Sequence, residues 1–444
     1  MQINFPQLMI HPLLTSEMDC YSFFLQLTSD FCLHFRLSTL ILITFLNRRL
    51  LMSRLFLFFY LFLIRGAYGD CNAAGNYSVI NSGILQKSLV SKSVLSSGSW
   101  VKVQVNEGGI HKITFASLKS MGFQSPQKVK IFGFPQGPLP QMNNIPAPDD
   151  LIKYAVWQTK DKQANDCWLI NIPGPVTWIE DAASGLFTPV INQFAQGHAF
   201  LYLTENEDVI NSVPLLSSKP ENSTVTVTGF DDFALYEESN YNLIMSGSGW
   251  YSALLTPNGT LTRAFTFPGH IDAEPFNISI AAAGRCDLPS SLDIVINNTL
   301  AGSLSFSPYS NFAEADYANL NKVTIQKTIS GSDLNFLLRF NGSNNNNCWI
   351  DYIRVQTRSK LNFLSGQLPF CDSRSVGPGS IAEFHIGNAP PGLKIWDISS
   401  PLEPLEMQTI LTNGICLFKV AADSLHRYIA FDSFFDFFLC FRMP

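Results

Sequence analysis

Residues 99–123 read "SWVKVQVNEGGIHKITFASLKSMGF", and this stretch sets the fold class. Trp100, Lys102 and Gln104 alternate with Val101, Val103 and Val105. A period of two puts the valines on one side of an extended chain, the mark of a half-buried strand. Asn106-Glu107-Gly108-Gly109 follows as a turn, because glycine reaches positive φ at little steric cost. The return strand carries His111, Ile113 and Phe115 on one face. Thr114 is placed to cap a short helix over 115–121, with Leu118 and Met121 on a shared face. Gly122 stands where a left-handed residue ends such a helix.

Outward from this stretch the strand pattern continues. Pro126 breaks the chain, and Val129 and Ile131 mark a strand ending at Gly133. Residues 135–148 hold five prolines and no periodicity, which predicts a loop. More strands are expected from Leu151 to about Leu203, "FLYLTEN" (200–206) being among the clearest. "NSVPLLSSKPENS" (211–223) reads as a linker where two lobes meet, and Val225 and Val227 share a face just after it. Strand candidates then recur at 262–267, 275–283, 291–296, 302–306, 321–328, 334–340 and 349–355. Turn chemistry such as "PNGT", "INNT" and "NGSNNNN" separates them. Short, evenly spaced strands predict a β-sandwich or jelly roll, with "WIDYIRV" as its closing strand. A last region holds "SIAEFHIGN" and "LKIWDISS", again strand-like.

The fold class is therefore mainly β: an N-terminal β-rich domain (70–215), a jelly-roll-like β-sandwich domain (216–360) and few short helices. A strand-containing connector (361–433) and a hydrophobic tail, "FFDFFLCFRMP" (434–444), follow. Charged residues make up 14% of the chain, against roughly 25% in an average soluble protein. With 36 phenylalanines and many Asn-, Ser- and Gly-rich turns, this composition suits an exported β protein better than a cytosolic helical enzyme. The net charge of −6 comes with no basic block, so nucleic acid is not an expected partner.

From Met52 the chain reads "MSRLFLFFYLFLIRGAYG". Arg54, the apolar run Leu55–Ile64 and the small residues Ala67 and Gly69 before Asp70 form a signal-peptide pattern over 52–69. The run is too short to span a bilayer, which takes about 20 residues. Asp70 separates Cys71 from the small residue, so Cys71 is not a lipoprotein cysteine. Residues 1–51 contain a second apolar run, Leu37–Leu46. They read as upstream sequence translated ahead of the true start at Met52, the rival being a longer leader or membrane anchor.

No active site is visible in the residues. His111 lies on an apolar strand face and reads as a core or edge residue. His198 and His270 fall in loops, His385 in a strand candidate, and His426 near Asp423, without metal-ligand spacing. The cysteines after the signal segment are Cys71, Cys167, Cys286, Cys348, Cys371, Cys416 and Cys440, and none forms a CxxC pair. Export permits disulfides, and Cys286 with Cys348 is the pair expected first. No cysteine has the context of a peptidase nucleophile, and no GxSxG, P-loop or dinucleotide fingerprint is present. The pairs Asp231-Asp232 and Glu237-Glu238 read as solvated loop charge. No catalytic, cofactor-binding or metal-binding residue is assigned, and no cofactor is expected.

"SGSWVKVQVNEGGIHKITFASLKSMGF" followed by "KVKIFGF" resembles the N-terminal region of the PorU-type sortases of the type IX secretion system, which belong with the gingipain-like cysteine peptidases. His111 stands where that family has tyrosine. The resemblance continues at "YNLIMSGSGWYSALL" (241–255), and is strongest at "CWIDYIRVQTRSKLNFLSGQLPF" and "GSIAEFHIGNAPPGLKIWDISSPLEP". It covers about residues 95–432. It implies a role at the outer membrane: cleaving the C-terminal signal of secreted cargo and linking the cargo to a lipopolysaccharide anchor. In full-length relatives the peptidase domain comes after this region, and no catalytic residue of the family maps onto any position here. The chain is thus expected to be a non-catalytic portion, exported to the periplasm or outer-membrane surface, with the outer-membrane attachment complex of that system as partner. The expectation includes a frameshift or early stop at about residue 433. The rival reading is an exported carbohydrate-binding β-sandwich protein, with a glycan as partner and Trp250 and Tyr251 as stacking surfaces.

Overall fold

The computed structural model describes residues 90–134, 147–181, 184–191, 198–310, 312 and 315–432. The expectations for 1–51, for the signal segment 52–69, for the tail 434–444 and for Cys71 and Cys440 lie outside the described residues.

The N-terminal region holds β1 (Trp100–Val105), β2 (Gly109–Thr114), helix α1 (Phe115–Ser120), β3 (Val129–Gly133), β4 (Ile152–Lys153) and β5 (Trp157–Lys160). It continues with β6 (Asp166–Ile172), β7 (Val176–Asp181), β8 (Leu186–Ile191) and β9 (Ala199–Glu205). The turn after β1 does not close a hairpin. β1 pairs with β9 in the order β1-β9-β3-β4, whereas β2 pairs with β6 in the order β2-β6-β5. Gly108-Gly109 is therefore a corner between two sheets. A Cβ on Gly108 would lie 2.6 Å from the Gly174 nitrogen, and Gly109 has φ +127°, so the corner needs both glycines. The valines read from the sequence face the space between the sheets. Val103 and Val105 pack there with Ile113, Leu118, Ile131 and Leu203. Thr114 caps α1 as expected, its side chain accepting from the Ser117 N–H at 3.0 Å, and Gly122 follows at φ +101°.

Two short strands come next, β10 (Leu215–Leu216) and β11 (Val225–Val227). The chain then enters a sandwich made of β12 (Gly229–Glu237), β13 (Ala253–Leu255), β14 (Thr260–Thr266), β15 (Phe276–Arg285) and β16 (Ser290–Ile296). It is completed by β17 (Thr299–Phe306), β18 (Asn319–Lys327), β19 (Asp333–Asn341) and β20 (Asn347–Lys360). One sheet runs β12-β20-β15-β18, with β13 also on β20, and the other runs β14-β19-β16-β17. First strand beside last, with antiparallel layers of five and four strands, is a jelly-roll-like arrangement. Every strand candidate between 262 and 355 is present. "WIDYIRV" closes the sandwich in sequence yet lies inside its sheet, between β12 and β15. Alternate residues point inward, and Phe276, Phe306, Phe336, Phe340 and Ile353 fill a dry core. The turn in "INNT" places Asn297 and Asn298 at φ +47° and +64°, the backbone that a two-residue hairpin requires.

The last region holds β21 (Gln367–Cys371), β22 (Ile381–Ile386), β23 (Leu393–Asp397), β24 (Leu405–Met407), β25 (Ile410–Thr412), β26 (Ile415–Ala421) and β27 (Arg427–Asp432). They form two sheets, and each sheet takes in a strand from before the sandwich. β10 joins β24 in the order β10-β24-β23-β27-β21, and β11 joins β22 in the order β11-β22-β26-β25, both in parallel. The stretch read as a linker (211–223) therefore contributes β10 to the far end of the described chain, and β11, just after it, adds a second strand there. Aromatic stacking holds this core: Phe384 lies flat on Phe418 at 4.9 Å, with Tyr428 against both. All described residues belong to one compact unit, and none of its helices is long and apolar enough to cross a membrane.

Candidate functional site

The sandwich is inserted between β11 and β21 through two adjacent strands. β12 leads in and β20 leads out, paired from Gly229↔Lys360 to Glu237↔Tyr352. At the base of this pair the chain buries charge. Arg358 on β20 donates to Asp231 on β12 at 2.7 Å and forms an ion pair with Asp372, just beyond β21, at 2.5 Å, with side chains 12%, 10% and 4% exposed. The second Asp231 oxygen accepts the Ser373 N–H at 2.7 Å. Asp232 accepts from the Ser359 hydroxyl at 2.7 Å, and burial raises its pKa. The two neighbouring carboxylates raise the pKa of Arg358 despite its burial. A bidentate Arg374–Glu274 pair, at 2.6 and 2.7 Å, makes a second tie between the sandwich and the last region.

This corrects the reading of Asp231, Asp232 and Glu237 as solvated loop charge, whereas Glu238, just past β12, is exposed as expected. β12 was not expected as a strand, because acidic residues are depleted from strands. The signal was nonetheless there: in "FDDFALYE", Phe230, Ala234 and Tyr236 recur at even spacing and reach apolar cores.

The N-terminal region closes on the same place. Hairpin β7–β8 lays Trp178 and Phe187 against Phe233 of β12, at 4.3 and 5.2 Å. The Phe187 N–H donates to Gln356 Oε1 at 3.0 Å. Arg427 of β27 donates to the Trp178 carbonyl and lies 5.6 Å from the Phe187 ring. The Gln367 amide pairs with both backbone groups of Ile110, at 2.7 and 2.8 Å. Three sequence regions thus converge on one interlocked junction of charge, aromatic rings and amide pairs.

At the other end of β12 sits a second unusual group. Asp351 is the extra residue of a β-bulge: Ala281 faces Tyr352 and Ala282 faces Ile350, which leaves Asp351 unmatched. Burial pushes its carboxyl up to about 6. Burial first, and the charge of Asp351 second, push Glu237 up to about 7, with Arg354 opposing. Trp250 and Tyr251, read as exposed stacking surfaces, are each half-buried.

The histidines separate. His111 is buried, with Nε2 3.0 Å from the Glu107 carbonyl. His270 is buried, stacked on Phe276 at 4.1 Å and bonded through Nδ1 to the Thr357 hydroxyl at 3.0 Å. His385 lies on β22, with Nε2 3.7 Å from Glu383. His426 does not meet Asp423, whose carboxylate accepts the Gly379 N–H instead. It bonds Asp397 at 2.7 Å, and this hydrogen bond raises its pKa against the effect of burial. The Ser399 hydroxyl nearby accepts the Arg427 N–H. Among the described residues no group of three or more His, Cys, Asp or Glu is arranged to hold a metal.

Cys167, Cys286, Cys348, Cys371 and Cys416 are buried free thiols. The expected Cys286–Cys348 bridge is not formed, although Cys348 faces Gly284 across the strand pair and both sulfurs lie in the sandwich core. Burial pushes the thiol of Cys167 up to about 11 and that of Cys371 up to about 12, away from the thiolate form a nucleophile needs.

No protein-family model matches the chain, and no curated protein does. Among solved structures it is similar to dimeric latent PorU from Porphyromonas gingivalis, with a TM-score of 0.67 and 19% identity. That match covers 77% of this chain and 32% of PorU. A CBM36-1 domain of a multidomain xylanase from the hindgut metagenome of Trinervitermes trinervoides gives a TM-score of only 0.20 at 10% identity, over 28% of this chain and 96% of the domain. A CBM36 module in complex with calcium and xylotriose gives 0.19 at 15% identity, over 29% of this chain and 99% of the module. Likeness at those scores carries no argument about function. The chain spans about a third of the length of PorU, and over that span it has a PorU-like fold.

Proposed function

We propose that this chain is the non-catalytic N-terminal portion of a PorU-like sortase. In full length such a protein would cleave the C-terminal signal of secreted cargo and attach the cargo to the cell surface. The observation that supports this most is the fold shared with PorU over 77% of the chain. The junction suits a scaffold: charge and aromatic rings lock three regions together instead of shaping a cleft. The cysteines suit it too, since Cys167 and Cys371 are held as protonated thiols. On this reading the protein is exported and works at the periplasmic or outer surface, against outer-membrane components of the type IX attachment complex.

The test uses the tagged full chain. Expressed in a bacterium with type IX secretion, it should co-purify with outer-membrane components of that system. Purified, it should not turn over Arg- or Lys-containing peptides. Turnover abolished by Cys416→Ala would overturn the non-catalytic assignment. Retention on immobilised glycans through 216–360, with no secretion component retained, would favour the carbohydrate-binding reading in its place.

A further inference from the structure

Between β12 and β13 a loop, residues 239–251, leaves the sandwich. It is tied to itself. Tyr241 and Tyr251 exchange backbone hydrogen bonds at 3.0 and 2.8 Å, and the Asn242 amide clamps both backbone groups of Ser246. At its tip Met245 is 96% exposed, with φ +55°. A single buried hydroxyl ties this loop to the sandwich. Ser252 Oγ accepts the Glu238 N–H at 2.7 Å and donates to the Asp351 carbonyl at 2.6 Å. The Ser252 N–H donates to the Ile350 carbonyl at 2.7 Å, and the Asn240 amide donates to the Glu238 carboxylate and the Ser252 carbonyl.

The strands that this hydroxyl bridges place like charges side by side. Ile350 and Ile353 both enter the sandwich core, so the bulge turns the two residues between them, Asp351 and Tyr352, to the outer face. Tyr236 enters the same core, so Glu237 faces out, opposite Tyr352. Two carboxyls thus share one patch of the sheet, beside the backbone groups that Ser252 joins, and like charges on adjacent strands repel. One cation answers them: Arg354, which acts against the raised pKa of Glu237 and lies 5.3 Å from the Tyr352 ring centre. The other titratable groups here are Glu238, Tyr251 and Tyr352, and the charge of Asp351 acts on both tyrosines. β15 presents Ser279, Ala281 and Ala283 to this face, and Lys322 of β18 lies one strand further on. From Ser239 to Thr262 the sequence holds no charged residue.

We propose that Glu237 and Asp351 form a proton-operated latch on this loop. With one proton on the pair, the remaining carboxylate is matched by Arg354 and the Ser252 bridge stays closed. With both carboxyls ionised, one charge is unmatched and half-buried; admitting water relieves it, and the loop swings away at Glu238 and Ser252. The sign follows from burial. In the closed form burial pushes Asp351 up to about 6, and burial first and Asp351 second push Glu237 up to about 7. Opening hydrates both and returns them toward the ordinary carboxylate range of about 4. The closed form therefore holds protons that the open form releases, so closure is favoured in acid and weakens as pH rises through the two folded values. This inference does not rest on the sortase reading.

The experiment is amide hydrogen exchange on the full chain, read by mass spectrometry near pH ~5 and near pH ~8 and corrected for the intrinsic rate at each. Peptides covering 238–255 should lose protection by about tenfold or more between the two, while peptides from β15 and β16 keep theirs. Glu237→Gln should keep 238–255 protected at both values, and Asp351→Asn should do the same; either variant suffices if the other does not fold. Equal protection of 238–255 at both values in the unaltered chain would overturn the proposal. So would a loss that persists in the folded variants, since the pair would then not be its cause. A loss shared by β15 and β16 would also overturn it, because the whole sandwich and not the loop would be opening.

Discussion

The sandwich and the last region are both two-layered and all-β, yet they are assembled in opposite ways. In the sandwich every strand finds its partners between residues 229 and 360. Its two layers meet over a core of phenylalanine and aliphatic side chains. The last region closes only when β10 and β11, from before the sandwich, dock in parallel on β24 and β22. Where the two regions meet, a buried ion network takes the place of a dry core. A dry core gains from area removed from water, whoever the neighbours are. A buried ion pair gains only if each partner is present and aligned.

The largest effect should come from the dry core. Phe336, 2% exposed at the centre of the sandwich, should cost about 4 kcal/mol as Phe336→Ala by the cavity it leaves. Denaturant unfolding reads this, and a cost below about 1 kcal/mol would mean the layers are not packed as described.

Next comes the junction. Arg358→Ala strands Asp231 and Asp372 without their cation and should cost about 3 kcal/mol. The double change Arg358→Met with Asp231→Asn should recover part of that loss, because fewer charges then stay buried. An Arg358→Ala protein as stable as wild type would show that the ion network does not tie the regions together.

A smaller effect is expected at the hairpin between β25 and β26. Asn413 and Gly414 have φ +51° and +76°, so Gly414→Ala forces a left-handed alanine and should cost about 1 kcal/mol.

The effect at Glu237 depends on pH. Its carboxyl is pushed up to about 7 in the folded chain, mainly by burial and then by Asp351. From the ordinary carboxylate range up to about 7, the folded state holds a proton that the unfolded chain has released. Stability from this group therefore falls as pH rises through that window. Glu237→Gln should raise Tm at pH near ~8 and leave it almost unchanged near ~5. The same gain at both values would remove the argument.

The last prediction expects no change at all. Residues 219–222 are exposed, so a protease should nick there. The two fragments should stay together on a native gel, since β10 and β11 flank the nick and both pair into the last region. Separation of the fragments would mean that the regions are independent lobes.

Much of this was legible in the residues. Alternation in "WVKVQV", the cap at Thr114 and the positive-φ pair in "INNT" are local effects, decided by sterics and by burial of one face. They located the helix, the sandwich strands between 262 and 355 and the turn chemistry. The turn at Gly108-Gly109 shows the limit. Its glycines announce a reversal, but whether β1 and β2 pair or part is decided by β9 and β6, which lie far along the chain. The site residues were less legible still. Asp231 and Asp232 look like solvent charge until Arg358 and Ser359, 127 residues on, are brought beside them. The sequence by itself determined most of the strand segments, because strand character follows from the alternation of neighbours, but it missed β10 and β12. Only the tertiary structure decided which strands share a sheet and which buried charges are paired. Those outcomes depend on contacts between distant segments, and no local pattern encodes them.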